Sequence, residues 1–228
     1  MKFSDIDTNS NIYLYAGENF YAKWDEYKSK TKFKWIGVWK DLDTDLFSQN
    51  KGLINENNPA SNYNIKHDIT TRHNIDDNCV DIYQSEDVFE HIEYNLLKDT
   101  INDIYRILKP NGLFRLSIPD YNDKNIKLRC IVNKNNEILY DPGGGGRFVN
   151  NKVVDGGHVW FPTIKKMRQL LDSTNFKKIN FLSYYEDIEN KGRSKQKHIH
   201  HNIDYSLGYI KRTPDFSYKK SIVIDCYK

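Results

Sequence analysis

The chain has 228 residues, 38% of them hydrophobic, which suits one α/β domain of ordinary core size. Lys and Arg total 34 against 31 Asp and Glu, so the net charge is only +3, both signs are interspersed, and no nucleic-acid partner is expected. No apolar run approaches the roughly 18 residues that span a bilayer, and the start MKFSDIDTNS has no apolar signal core.

Residues 12–15 (IYLY) read as a first strand, followed by Ala16 and Gly17. Residues 35–39 (WIGVW) read as a second strand, and 48–62, polar and rich in Asn, as a loop. A short third strand is expected within 63–68, and a fourth over 80–83. Gln84, Ser85, Glu86 and Asp87 then crowd polar groups at a crossing from strand to helix. From Val88 the apolar period becomes three and four, through Ile92, Leu96, Leu97, Ile101, Ile104 and Leu108, which predicts one amphipathic helix. Glu90 and His91 fall at its start, as capping or core-facing groups or as catalytic ones. Pro110 and Gly112 end the helix, and 113–118 (LFRLSI) is a fifth strand closed by Pro119. A second helix is expected around 164–171, and last strands over 179–184 and 221–226.

Strands separated by helical segments imply a doubly wound, mainly parallel sheet with helices on both faces. Ligands of such sheets bind outside the carboxyl ends of the strands. Gln84 to Asp87 sit at that edge, either facing a ligand or capping the helix and favouring its dipole. The chain reads as a single domain, 1–228, with an insert over 121–159 that leaves the edge after strand five. Cys79, Cys130 and Cys226 are far apart and odd in number, as expected for reduced thiols in a cytoplasmic protein. The insert's DPGGGG lacks the Lys-Ser/Thr pair of a phosphate-binding loop and reads as a lid. HIHH at 198–201 has no carboxylate or Cys at a ligand spacing, so it and the basic 191–197 read as polar loop, and no metal is expected.

Two segments, HDITTRHNIDDNCVDIYQSEDVFEHI and INDIYRILKPNGLFRLSIPD, resemble class I S-adenosylmethionine-dependent methyltransferases in order and spacing. The resemblance spans roughly residues 12–118 and implies their Rossmann-like, seven-stranded sheet. It implies that Asp68 and Ile69 hold the adenine, that Tyr15, Ala16 and Gly17 form the loop after the first strand, and that Ser85 and Glu86 border the cofactor. Tyr15 and Ala16 stand where that family usually has Gly and a small residue. The segment DGGHVWFPT and the ending KSIVIDCYK are similar to a subgroup often encoded among sugar-modifying genes.

Methyl transfer from a sulfonium needs alignment and a dry site, and an alcohol acceptor must also lose a proton. His158, preceded by Gly156 and Gly157, is the candidate base, with Asp120 and Asp87 as further candidate catalytic carboxylates. His158 also reads as a surface His, and Asp120 as a turn acid after Pro119. The expected function is O-methylation of a small molecule, a sugar hydroxyl of a glycan or nucleotide sugar, by a protein that can oligomerise. A catalytically degenerate scaffold of the same fold and a nucleic-acid methyltransferase are the alternatives.

Overall fold

Short β-branched and aromatic runs pair into one eight-stranded sheet in a computed structural model, which describes residues 2–16, 34–39, 64–190, 193–202, 204 and 221–228. The first strands are β1 (Ile12–Ala16), β2 (Lys34–Trp39), β3 (Asn64–Lys66), β4 (Val80–Glu86) and β5 (Leu108–Pro119). Residues 121–159 contribute two small hairpins, β6 (Ile131–Val132) with β7 (Ile138–Tyr140), and β8 (Arg147–Val149) with β9 (Lys152–Val154). The main sheet is completed by β10 (Lys178–Asn190), β11 (Arg193–His200) and β12 (Ser221–Tyr227). Its order is β11-β10-β12-β5-β4-β1-β2-β3. β1 to β5 pair in parallel, whereas β12 runs antiparallel between β5 and β10.

The sheet is the doubly wound, mainly parallel one expected from the sequence, with one strand more than the sequence predicts. The extra strand is β11, which contains most of the basic run and the HIHH segment read as loop. It pairs antiparallel with β10, setting Lys197 opposite Glu186 and Ile199 opposite Tyr184. Charged residues belong on such an edge, where they oppose sheet-to-sheet association, and this masks the strand in the sequence. Gly17 and the loop read at 48–62 lie outside the described residues.

Helix α1 (Leu97–Ile107) starts nine residues later than the period from Val88 suggests. Two short 3-10 turns, Phe89–His91 and Tyr94–Leu96, precede it, and extended backbone at Ile92 separates them. α1 buries Leu97, Ile101, Ile104 and Ile107 and sets Asp99 in its first turn and Arg106 in its last, as its dipole favours. α2 (Lys124–Arg129) is capped by the Asp123 carboxylate, which accepts from the Asn125 and Ile126 amides. α3 (Ile164–Asp172) is capped by Thr163 and buries Met167, Leu170 and Leu171. Gly112 lies within β5, where its pairing with β4 shifts register, and a Cβ there would lie 2.8 Å from the Lys109 carbonyl oxygen.

The two faces of the sheet differ. On one, Leu14, Tyr83, Phe114, Leu116, Ile222 and Ile224 join the residues buried by α1 and α3 in one apolar core. On the other, register places Tyr15, Gln84, Arg115 and Asp225 side by side across four strands. Tyr13 donates to Gln84, and Gln84 donates to Glu86 Oε1 at 2.6 Å. Arg115 is wholly buried and grips Asp225 with Nε and Nη2, both at 2.7 Å, while its third nitrogen reaches the Asp204 carbonyl.

Burial costs both ions their hydration, so removing one partner leaves a charge in the sheet with nothing to offset it. Asp225→Ala is expected to lower unfolding free energy by about 3–5 kcal/mol. Arg115→Met combined with Asp225→Leu is expected to lose much less, as measured by urea unfolding.

Candidate active site

Parallel pairing brings the carboxyl ends of β1 and β4 together, with Ala16 beside Ser85. Ser85 and Glu86 belong to β4 itself and are buried; they are not part of a strand-to-helix crossing. The chain turns only at Asp87, whose φ of 53° is left-handed and whose amide donates to the Ser117 carbonyl. The Ser85 hydroxyl has no hydrogen-bond partner among the described residues. Tyr15 is a buried strand residue opposite Gly37, which has no side chain to compete with its ring. Asp68 follows β3 and organises a turn, its Oδ1 accepting from the Thr70 amide at 3.0 Å and the Thr70 hydroxyl at 2.7 Å. Ile69 packs into the core beside it. A half-buried carboxylate, a buried hydroxyl and two converging strand ends fit the polar edges of a nucleoside-containing cofactor.

The loop from β3 to β4 is tied to α1. Arg106 donates to Asp103, to Asp77 and to the carbonyls of His73 and Ile75. Asp103 also accepts from the His73 amide and meets its ring Nδ1, both at 2.7 Å. Burial pushes the Asp103 carboxyl up, but His73 and Arg106 outweigh it and hold the group well below the usual carboxylate range. This cluster fixes the amino end of β4 and so sets where its carboxyl end emerges.

His158 lies just beyond that carboxyl end and is 7% exposed. The next amide, Val159, donates to the Glu90 carbonyl at 2.9 Å, and Trp160 Nε1 donates to the Phe89 carbonyl at 2.8 Å. The end of the insert is thus pinned to the turn that follows β4. His158 Nε2 faces Glu90 Oε1 at 3.6 Å, and its Nδ1 meets the Tyr121 hydroxyl. Tyr121 donates its single proton to Asp141 at 2.7 Å, so its oxygen accepts from His158 Nδ1–H. Arg129 forms a two-pronged bond to Asp141, with both contacts at 2.7 Å. Burial raises the Asp141 carboxyl, yet Arg129, Tyr121 and the Gly143 amide bring it below its ordinary value. Burial, reinforced by Asp141, pushes the Tyr121 phenol far up, so it stays protonated.

The glycine run is part of this assembly. A Cβ at Gly144 would stand 2.5 Å from the His158 ring, and one at Gly143 would stand 2.3 Å from the Arg129 guanidinium. Side chains are absent there because the imidazole and the guanidinium occupy their space.

The structure thus brings His158 together with Glu90, Tyr121, Asp141 and Arg129. Asp120, at the end of the same strand as Tyr121's approach, bonds elsewhere: its oxygens accept from the Asn122 amide at 2.9 Å and the Tyr185 amide at 2.6 Å. It joins the end of β5 to β10. Asp141 and Tyr121 escaped sequence reading because their pairing spans the insert; the sole local signal was Asp141 heading the glycine run.

The family description "Methyltransferase domain" matches residues 41–116. A search of curated proteins found no match. Among solved structures, a SAM-dependent methyltransferase from Methanosarcina mazei shares the fold at TM-score 0.57 and 13% identity, covering 96% of this chain and 92% of that one. One from Archaeoglobus fulgidus does so at TM-score 0.53 and 13% identity, covering 97% and 87%. The CurJ carbon methyltransferase aligns at TM-score 0.53 and 11% identity, over 97% of this chain and 49% of its own. Residues 41–116, a third of the chain, thus match a methyltransferase domain, the fold is that of S-adenosylmethionine-dependent methyltransferases, and S-adenosylmethionine is the cofactor that such a domain implies. No helix among the described residues is long and apolar enough to cross a membrane.

Burial pushes the Asp120 carboxyl up to about 6, against two amides that pull it down. A native pKa above the unfolded one adds stability that is complete below about pH 4 and lost as pH rises through 6. Thermal melts between pH 4 and 7 should show this decline, and Asp120→Asn should flatten it while lowering stability at every pH.

Proposed function

We propose that the chain transfers the methyl group of S-adenosylmethionine to a hydroxyl oxygen of a small molecule, and that His158 marks the acceptor side. The observation that supports this most is the placing of His158 and Glu90 against the turn that directly follows β4. That is the carboxyl edge, where ligands of such sheets lie. The bound cofactor supplies an activated methyl group on a positively charged sulfur. The chain's residues have the remaining tasks of alignment, exclusion of water and removal of the hydroxyl proton.

On this reading Asp68 and Ile69 border the adenine, while Tyr15, Ala16, Gly17, Ser85 and Glu86 border the rest of the cofactor. The insert 121–159 covers the open side of the methyl group. Its hairpins lead to His158, and the Tyr121–Asp141–Arg129 chain holds the imidazole in one tautomer, with Nε2 turned towards Glu90. Loss of the acceptor proton depends on this His158–Glu90 pair. Asp87 stands one turn before Glu90 and is placed to meet an acceptor hydroxyl, whereas Asp120 acts by anchoring. A sugar hydroxyl of a glycan or nucleotide sugar is the acceptor class we favour, supported by the resemblance of DGGHVWFPT and KSIVIDCYK alone.

Calorimetric titration with S-adenosylhomocysteine tests the cofactor half. Asp68→Ala is expected to weaken binding by about 1–3 kcal/mol, the cost of stranding a polar partner. No binding by the parent chain at millimolar concentration would favour a scaffold over an enzyme. The acceptor half is tested by single-turnover transfer to candidate sugars. His158→Asn should slow it by about 10²–10⁴-fold with cofactor affinity nearly unchanged; an unchanged rate would remove His158 from the reaction.

A further inference from the structure

We propose that Glu90, His91 and His158 together bind one divalent transition-metal ion, of the zinc and cobalt type, on the acceptor side of the site. Each residue offers a ligand atom, and the three atoms lie within 4.8 Å of one another. Zinc bonds to nitrogen and carboxylate oxygen of about 2.0–2.2 Å give a tetrahedral edge of roughly 3.3–3.6 Å. The gap between His158 Nε2 and Glu90 Oε1 is 3.6 Å, too long for a hydrogen bond but matched to such an edge.

The surroundings strengthen the case. Asp141 accepts the Tyr121 hydrogen bond, which makes His158 Nδ1 the donor to the Tyr121 oxygen and turns Nε2 towards Glu90. Metal-binding histidines are oriented in this way, the second ring nitrogen donating to an outer partner. Glu90 is fully buried, so a carboxylate and an imidazole lone pair face each other away from water. A cation placed between the carboxylate and the ring nitrogen would be attracted by both. His91 is exposed, adjoins Glu90 on the same turn, and packs its ring edge-on to His158 with centroids 4.7 Å apart. Three protein ligands with one face towards solvent leave a fourth position open, as in catalytic and not structural sites.

The role of the ion rests on the function proposed above; its binding does not. An acceptor hydroxyl in the fourth position would have its O–H bond polarised by the ion that His158 and Glu90 hold, which is how proton loss would depend on that pair, and the proton would leave to water on the exposed His91 side. The oxygen then forms the new bond to the methyl carbon, and the electrons of the broken C–S bond return to sulfur, leaving a neutral thioether.

The test uses the full chain after chelator treatment, titrated with Co²⁺ and followed by its visible absorption, and with Zn²⁺ by competition. One equivalent should bind with an intense, tetrahedral-type spectrum. Glu90→Gln and the exposed His91→Ala should each weaken binding at least tenfold, and His158→Asn should abolish it. His200→Ala with His201→Ala, at and just beyond the end of the edge strand, should leave it intact. The inference is overturned by no saturable binding near pH 7, the result expected if a proton alone bridges the pair. It is equally overturned if binding survives His158→Asn and His91→Ala, or vanishes with the edge-strand substitutions. Calorimetry with S-adenosylhomocysteine on the metal-free chain separates the two readings, since cofactor binding without Co²⁺ binding refutes only the metal, and the reverse refutes only the proposed function.

Discussion

The proposed acceptor side hangs on two hydrogen bonds to one three-residue turn. Val159 donates to the Glu90 carbonyl and the Trp160 indole donates to that of Phe89. Phe89 is itself locked in the core against Phe114 of β5. The turn is therefore rigid because the sheet is rigid, and the far end of a 39-residue excursion, 121–159, is returned to it at a fixed point. His158 is the residue immediately before the first of these bonds, so it has little freedom in where it stands. Its ring orientation is then decided separately, by Tyr121 and Asp141.

Charge is distributed on the same plan at three depths. Arg115 and Asp225 neutralise one another in the middle of the sheet. Arg106 and Asp103 bind the loop at the amino end of β4. Arg129 and Asp141 brace the insert at the carboxyl end. Each pair couples a planar guanidinium to a carboxylate, the geometry that best repays desolvation. A site assembled between such braces loses little on binding, because its dipoles already point where they are needed.

Much of the sheet could be read from apolar runs and their punctuation. β1, β2, β4, β5 and β12 each appear as hydrophobic stretches between polar ones. The strand β11 could not be, since an edge strand takes its order from its neighbour's backbone and carries polar residues by preference. The start of α1 was misplaced because Phe89 and Ile92 are buried, and Val88 partly so, through 3-10 turns, which reproduce a helical spacing over a few residues. His158 was legible as a candidate from the glycines before it. Glu90 was legible as a residue but not as its partner, because the pairing joins positions 68 residues apart. Asp120 was legible as an acid directly after strand five, but not the fact that its carboxylate binds the Asn122 and Tyr185 amides of its own fold.

The glycine run at 143–146 has a consequence for anyone diversifying this gene. The insert's outer surface, including Leu128 at 83% exposure, should accept almost any residue. Gly144 and Gly146 should accept almost none, although they sit in the same irregular segment, because the buried imidazole fills the room a methyl group would need at Gly144 and backbone atoms of Val154 and Gly157 fill it at Gly146, whereas Gly143 meets the movable end of the Arg129 side chain. A saturation library across residues 121–159 should therefore show a sharp trough of tolerance inside a permissive region. The shape of the proposed acceptor side is governed there by missing atoms, so selection for new acceptors has to proceed through the hairpin arms.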